Sequence, residues 1–158
     1  LALMRSSLLS LTRKLDAAQL AANRRTALAR DYGVKPAQAA RLMLAQDPPG
    51  GVIINISTAW AFEPSAMFPT SAVARAGLAA FTKVFADTYA PDNIRMNNVL
   101  PGWIDSLPAT DERRASVPMK RYGTAEEIAG TISFLASPAA AYMTGQNIKV
   151  DGGITRSV

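Results

Sequence analysis

The chain has 158 residues, 49% hydrophobic and 18% charged, the size and composition of one soluble globular domain, and no run approaches the eighteen apolar residues that a membrane span needs. With no cysteine and no histidine, disulfides, thiolate nucleophiles, imidazole bases and the commonest zinc sites are excluded, so proton transfer would fall to hydroxyls, carboxylates, lysine or tyrosine. The net charge of +5 belongs entirely to residues 1–48, with eight Lys or Arg against three Asp, while residues 49–158 carry nine of each sign.

Residues 1–35 are Ala-, Leu- and Arg-rich and give no strand signal. An organelle transit peptide, a nucleic-acid arm and degraded domain sequence all suit that composition. The nucleic-acid arm is the least favoured of the three, because no aromatic residues interleave the arginines. A helix is expected over about Pro36 to Gln46, followed by the turn cluster QDPPGG and a short β-branched run, VIINIS, suited to a buried strand. From about Thr70 to Ala90 the residues Val73, Ala76, Gly77, Ala80, Phe81, Val84 and Phe85 recur at helical spacing, which places them on an inner face. Pro91, Asp92 and Asn93 end that helix, and Ile94 to Leu100 reads as a second strand stopped by Pro101 and Gly102. After a long polar loop, Thr124 and Glu127 form a T-x-x-E capping box that opens a helix with Ile128, Ile132 and Leu135 inward. The last strand is Gln146 to Val150. Single helices between short buried strands imply crossovers and a parallel sheet covered on both faces.

The blocks GVIINIST, R-A-G-L, NIRMNNVLPGWIDS, VPMKRYGTAEEIAGTISFLAS and YMTGQNIKVDGG, in that order, resemble the C-terminal half of the short-chain dehydrogenase/reductase family over about residues 51–153. PAQAARLMLAQ (36–46) also resembles the helix that precedes the family's fifth strand. The resemblance implies an α/β fold: a partial Rossmann-like, doubly wound parallel sheet of three strands with flanking helices, lacking the N-terminal nucleotide-binding half. Residues 36–158 would form that unit and residues 1–35 match poorly. It further implies hydride transfer between NAD or NADP and a small carbonyl or alcohol. The family's Gly-rich turn, which lets a helix N-terminus approach a pyrophosphate, occurs nowhere in the sequence. Together with a start at Leu1, this suggests a fragment of a longer chain.

The family works with a tyrosine acid, a lysine four residues on, and a serine on the preceding strand. The A-G-L run after the lysine aligns with Ala76, Gly77 and Leu78, so the lysine position is Arg75, the tyrosine position Ser71, and the serine position, thirteen residues before Ser71, Thr58. Thr58 keeps its hydroxyl. Ser71 does not replace a phenol, which titrates near pH ~10, and the planar fork of Arg75 is not equivalent to an ammonium. The plain alternative for Ser71 and Arg75 is a helix N-terminal serine and a snorkelling arginine. The family's fourth residue, an asparagine, aligns loosely with Leu28, more than a turn from Asn23. Pro101, Gly102, Trp103, Ile104 and Ser106 correspond to the loop beside the nicotinamide, and Arg75 would face its ribose; the plain alternative for the loop is a strand-ending turn.

The expectation is therefore an oxidoreductase of this family, inactive or impaired in this form. The alternatives are a non-catalytic pseudoenzyme, an oligomer-forming subunit that associates through the last helix and strand, or a truncated gene product. A homo-oligomer in the cytoplasm, without nucleic-acid or membrane partners, is expected.

Overall fold

The computed structural model describes residues 36–66 and 68–157; the basic segment 1–35, with Asn23 and Leu28, lies outside the described residues. In chain order the main elements are α1 (Pro36–Leu44), β1 (Gly51–Ile56), α2 (Pro69–Tyr89), β2 (Ile94–Pro101), α3 (Asp111–Ser116), α4 (Ala125–Ala136) and β3 (Asn147–Val150). The sheet order is β1-β2-β3 and both pairings are parallel, Gly51 opposite Ile94 through Ile56 opposite Val99, then Asn98 opposite Asn147 through Pro101 opposite Val150. Parallel neighbours cannot be joined by a tight turn, so α2 crosses between β1 and β2, and α4 between β2 and β3.

The two helical layers lie on opposite faces. Ile94 and Met96 of β2 pack with Ala40, Leu78, Phe81, Phe85 and Tyr89 of α1 and α2. Val99 turns the other way, to Ile128 and Leu135 of α4 and Ala140 beyond it. This alternation follows from the two-residue period of a strand, and burying each such large apolar side chain stabilises by about 1.5–3 kcal/mol. As the middle strand, β2 is buried from Ile94 to Leu100, whereas β1 is half-buried along most of its length.

The inner face of α2 differs from that read from periodicity. Phe81 and Phe85 are buried as expected, but Val73 and Val84 are 36% and 37% exposed, and Ala76 and Ala80 are exposed too. The buried stripe is Leu78, Ala79, Phe81, Thr82, Phe85, Ala86 and Tyr89. Apolar residues occupy two faces of this helix, and the sheet takes the face with the large aromatics. Thr82 is tolerated there because its hydroxyl donates to Asn98 Oδ1 at 2.9 Å.

Polar residues buried in β2 are matched individually. Asn55, Asn98 and Asn147 occupy one row across the three strands. Asn55 Nδ2 donates to Asn98 Oδ1 at 2.9 Å and Asn98 Nδ2 to Asn147 Oδ1 at 2.7 Å. Arg95, 7% exposed, donates to the carbonyls of Leu135 at 2.9 Å and Met143 at 3.1 Å. The last turn of α4 has no basic residue of its own, so Arg95 places a cation at the negative end of that helix.

The expected capping box is present: Thr124 Oγ1 accepts from Glu127 N–H at 3.2 Å and Glu127 Oε2 accepts from Thr124 N–H at 2.9 Å. Arg121 adds a two-pronged contact to the same carboxylate. Within the loop after β2, six residues fold into α3, capped by Thr110.

Candidate functional site

The ends of β1 and β2 each contribute one wall of a single cleft. β1 is held to β2 through its last residues, with Ser57 N–H donating to Val99 carbonyl at 2.8 Å. Thr58 is extended and opens a short 3-10 turn, Ala59–Ala61, its hydroxyl 3.5 Å from the Trp60 N–H that it accepts. Pro69 at the first turn of α2 needs no N–H partner there and starts the helix, which sets Ser71 in that turn.

The opposite wall begins where β2 ends. Gly102 N–H donates to Val150 carbonyl at 3.1 Å, and a Cβ on Gly102 would stand 2.9 Å from the Asp151 backbone, so only glycine lets β2 and β3 close at this point. Trp103 and Ile104 then run beside Gly123, with Gly123 N–H donating to Trp103 carbonyl at 2.9 Å and Asp105 N–H to Gly123 carbonyl at 3.0 Å. Asp105 Oδ1 in turn accepts from Ala125 N–H at 3.2 Å, tying the turn to the start of α4.

Between these walls lies a cleft of about 640 Å³ at the carboxyl ends of β1 and β2, the place where open parallel α/β sheets bind ligands. It brings together Thr58, Ser71, Pro101, Gly102, Trp103, Ile104 and Ser106. Arg75 is not among the residues that line it; its Nη1 donates instead to Ile56 carbonyl at 3.0 Å. Residues that the sequence did not point to complete the lining: Ser57, Trp60, Ser65, Phe68, Leu107 and Ile128 among them. An aromatic two residues after Thr58 was the available signal for Trp60, whose ring centre lies 4.5 Å from that of Trp103.

No side chain in the described lining is ionisable. The cleft offers hydroxyls that can hydrogen-bond a carbonyl oxygen in an apolar setting, and nothing that titrates near neutrality. The ionised groups sit around it. Glu63, in the loop between Thr58 and α2, accepts the backbone N–H groups of Arg156 and Ser157, each at 2.5 Å. The Ser157 N–H chiefly holds its carboxyl below the ordinary range, against the opposing effect of burial. Glu127 is lowered to about 2, first by the hydrogen bond from Arg121 and then by Thr124 N–H. Among the described residues there is no His/Cys/Asp/Glu group arranged for a metal ion, and no helix long and apolar enough to cross a membrane.

A parallel α/β sheet with a ligand cleft at its strand ends is the frame of many nucleotide-dependent enzymes. Residues 32–155 match the family model described as enoyl-(acyl carrier protein) reductase. A 3-oxoacyl-[acyl-carrier-protein] reductase of Synechocystis is 41% identical over 120 residues, 72% of this chain and 47% of that protein. Among solved structures, YwfH, an NADPH-dependent reductase involved in bacilysin biosynthesis, superposes with a TM-score of 0.69 at 35% identity, over 77% of this chain and 52% of that one. A putative 2-deoxy-D-gluconate 3-dehydrogenase from Agrobacterium tumefaciens with bound NADP gives 0.67 at 32% identity, over 75% and 51%. The chain belongs to the short-chain dehydrogenase/reductase family, and it spans about half the length of the curated relatives it matches.

The family implies NAD or NADP, and the described residues fit that group at one end only. Pro101, Trp103 and Ile104 offer an apolar surface of the kind a nicotinamide ring needs. A pyrophosphate needs a cradle of backbone N–H groups or cations, and the lining has no cation while the sequence has no Gly-rich turn. The whole dinucleotide is not accounted for by these residues.

Proposed function

We propose that this chain forms the substrate-cleft half of an NAD(P)-linked oxidoreductase for a small carbonyl or alcohol, in a form whose own proton transfer is impaired. The observation that carries this reading is the cleft that gathers Thr58 and Ser71 without any ionisable side chain in its described lining. Thr58 and Ser71 orient a carbonyl oxygen by hydrogen bonding, and the indoles of Trp60 and Trp103 exclude water from it. Proton donation is the missing part: an alkyl alcohol is a far weaker acid than a phenol of pKa ~10. Arg75 does not compensate, because its guanidinium is engaged with the end of β1.

Titrating the full chain with octan-2-one while following Trp60 and Trp103 fluorescence tests the cleft. A saturable change at millimolar ligand or below is expected, reduced by Trp60→Ala; a strictly linear response would overturn the reading.

A second reading, an oligomer-forming subunit, is supported by the exposed apolar residues outside the cleft. Phe134 on α4 and Tyr142 beyond it are 45% and 103% exposed, and Val73 and Val84 of α2, on the other face of the sheet, are exposed as well. Sedimentation velocity separates the two, since this reading requires a concentration-dependent oligomer and fails for a monomer.

A further inference from the structure

The cleft's described lining carries no charge, yet one cation rests against its wall. The Arg113 guanidinium carbon lies 4.5 Å from the centre of the Trp103 ring. Its one recorded hydrogen bond as a side-chain donor, to Pro108 carbonyl, is stretched to 3.5 Å, and Arg113 takes part in no ion pair among the described residues. Its neighbour Arg114 is paired with Asp111 at 2.5 Å, and the other acid of this helix, Glu112, forms no ion pair with Arg113 among the described residues. Arg113 is half-buried and held mainly by an aromatic face, which leaves most of its five donors open to a ligand.

The same indole holds a second unused group. Trp103 Nε1 is buried and has no acceptor, the single side-chain nitrogen or oxygen among the described residues in that condition. Buried donors are normally satisfied, and this one belongs to a ring that lines the cleft. Trp60, tilted 52° to Trp103, extends the wall into an apolar surface with Ile104 and Leu107.

We propose that the cleft selects an apolar carboxylate: a hydrocarbon or aryl body lies against Trp60 and Trp103, and the carboxylate binds Arg113. The inference rests on the reading of the cleft as a carbonyl-binding site and adds a charge requirement to it. A guanidinium matches a carboxylate with two parallel hydrogen bonds, and such charge-assisted bonds are stronger than neutral ones.

Calorimetric titration of the full chain with octanoate, octanol and octyl phosphate at low ionic strength provides the test. Octanoate is expected to bind about tenfold tighter than octanol, from one charge-assisted contact. Arg113→Gln should erase that advantage and leave octanol unchanged, and Arg113→Lys should keep part of it; a thermal melt of each variant confirms folding. Equal affinities for octanoate and octanol overturn the inference while leaving the cleft reading intact. Octyl phosphate binding as tightly as octanoate overturns the carboxylate assignment. Failure of all three to bind overturns the cleft reading itself.

Discussion

Arg75 Nη1 donates to the backbone carbonyl of Ile56 at 3.0 Å, fastening the first turns of α2 to the end of β1. One turn earlier on the same helix, Ser71 faces the cleft. Ser71 and Arg75, a turn apart on one helix, are thus divided between a wall hydroxyl and a structural tie. Removing the tie by Arg75→Ala should lower stability by about 1 kcal/mol, the worth of one hydrogen bond. Urea unfolding measures that loss, and the midpoint of the fluorescence titration should stay where it was, because the guanidinium does not line the cleft.

The asparagine row makes a larger claim on stability. Asn98, fully enclosed, accepts from Asn55 and Thr82 and donates to Asn147. Asn98→Ala leaves three partners unmatched in the sheet and should cost about 3 kcal/mol, whereas Asn55→Ala, at the half-buried edge strand, should cost about 1 kcal/mol. Urea melts of the two variants check the order, and equal losses would contradict it.

The start of α4 sets a pH dependence. The carboxyl of Glu127 is depressed from 4.5 to about 2, by Arg121 first and Thr124 N–H second. A depressed carboxyl binds fewer protons folded than unfolded, so its contribution is present above pH 4.5 and is lost as pH falls toward 2. Glu127→Gln should therefore flatten the acid limb of a stability-against-pH curve between those values. Thr124→Ala should remove about 1 kcal/mol at neutral pH through the lost cap. A Glu127→Gln curve that parallels the parent's would contradict the assignment.

Glu63 ties the C-terminal residues to the loop that supplies Ser65 and Phe68 to the cleft. Lys149 Nζ holds Ser157 from the other side through its carbonyl and hydroxyl. Amide hydrogen exchange at Arg156 and Ser157 should accelerate about tenfold or more in Glu63→Ala, as local opening no longer has to break those bonds. Unchanged exchange would show that the clasp does not protect them.

Much of the frame was legible because local signals agreed with one another. The β-branched run before Ser57, the turn at Pro101 and Gly102, and the reciprocal pair Thr124 and Glu127 each act within a few residues. The buried side of α2 was not, since Val73 and Phe81 are equally apolar in a periodicity and only contact with Ile94 and Met96 decides between them. The same applies to α3, a polar six-residue helix with no apolar stripe, and to the stacking of Arg113 on Trp103 that it creates. Thr58 and Ser71 were singled out through the family resemblance, and both line the cleft; that Arg75 turns to Ile56 needed the geometry.

The central claim, a cleft that binds a carbonyl compound without a proton donor, is tested most directly by turnover in the parent chain. A 3-oxoacyl thioester is added with NADH or NADPH, cleft occupancy is followed through tryptophan fluorescence, and nicotinamide absorbance is recorded on the same sample. The expected result is a saturated fluorescence change with no loss of nicotinamide absorbance above the protein-free rate. Turnover at about 1 s⁻¹ or faster, an ordinary enzymatic rate, abolished by Ser71→Ala, would contradict the account.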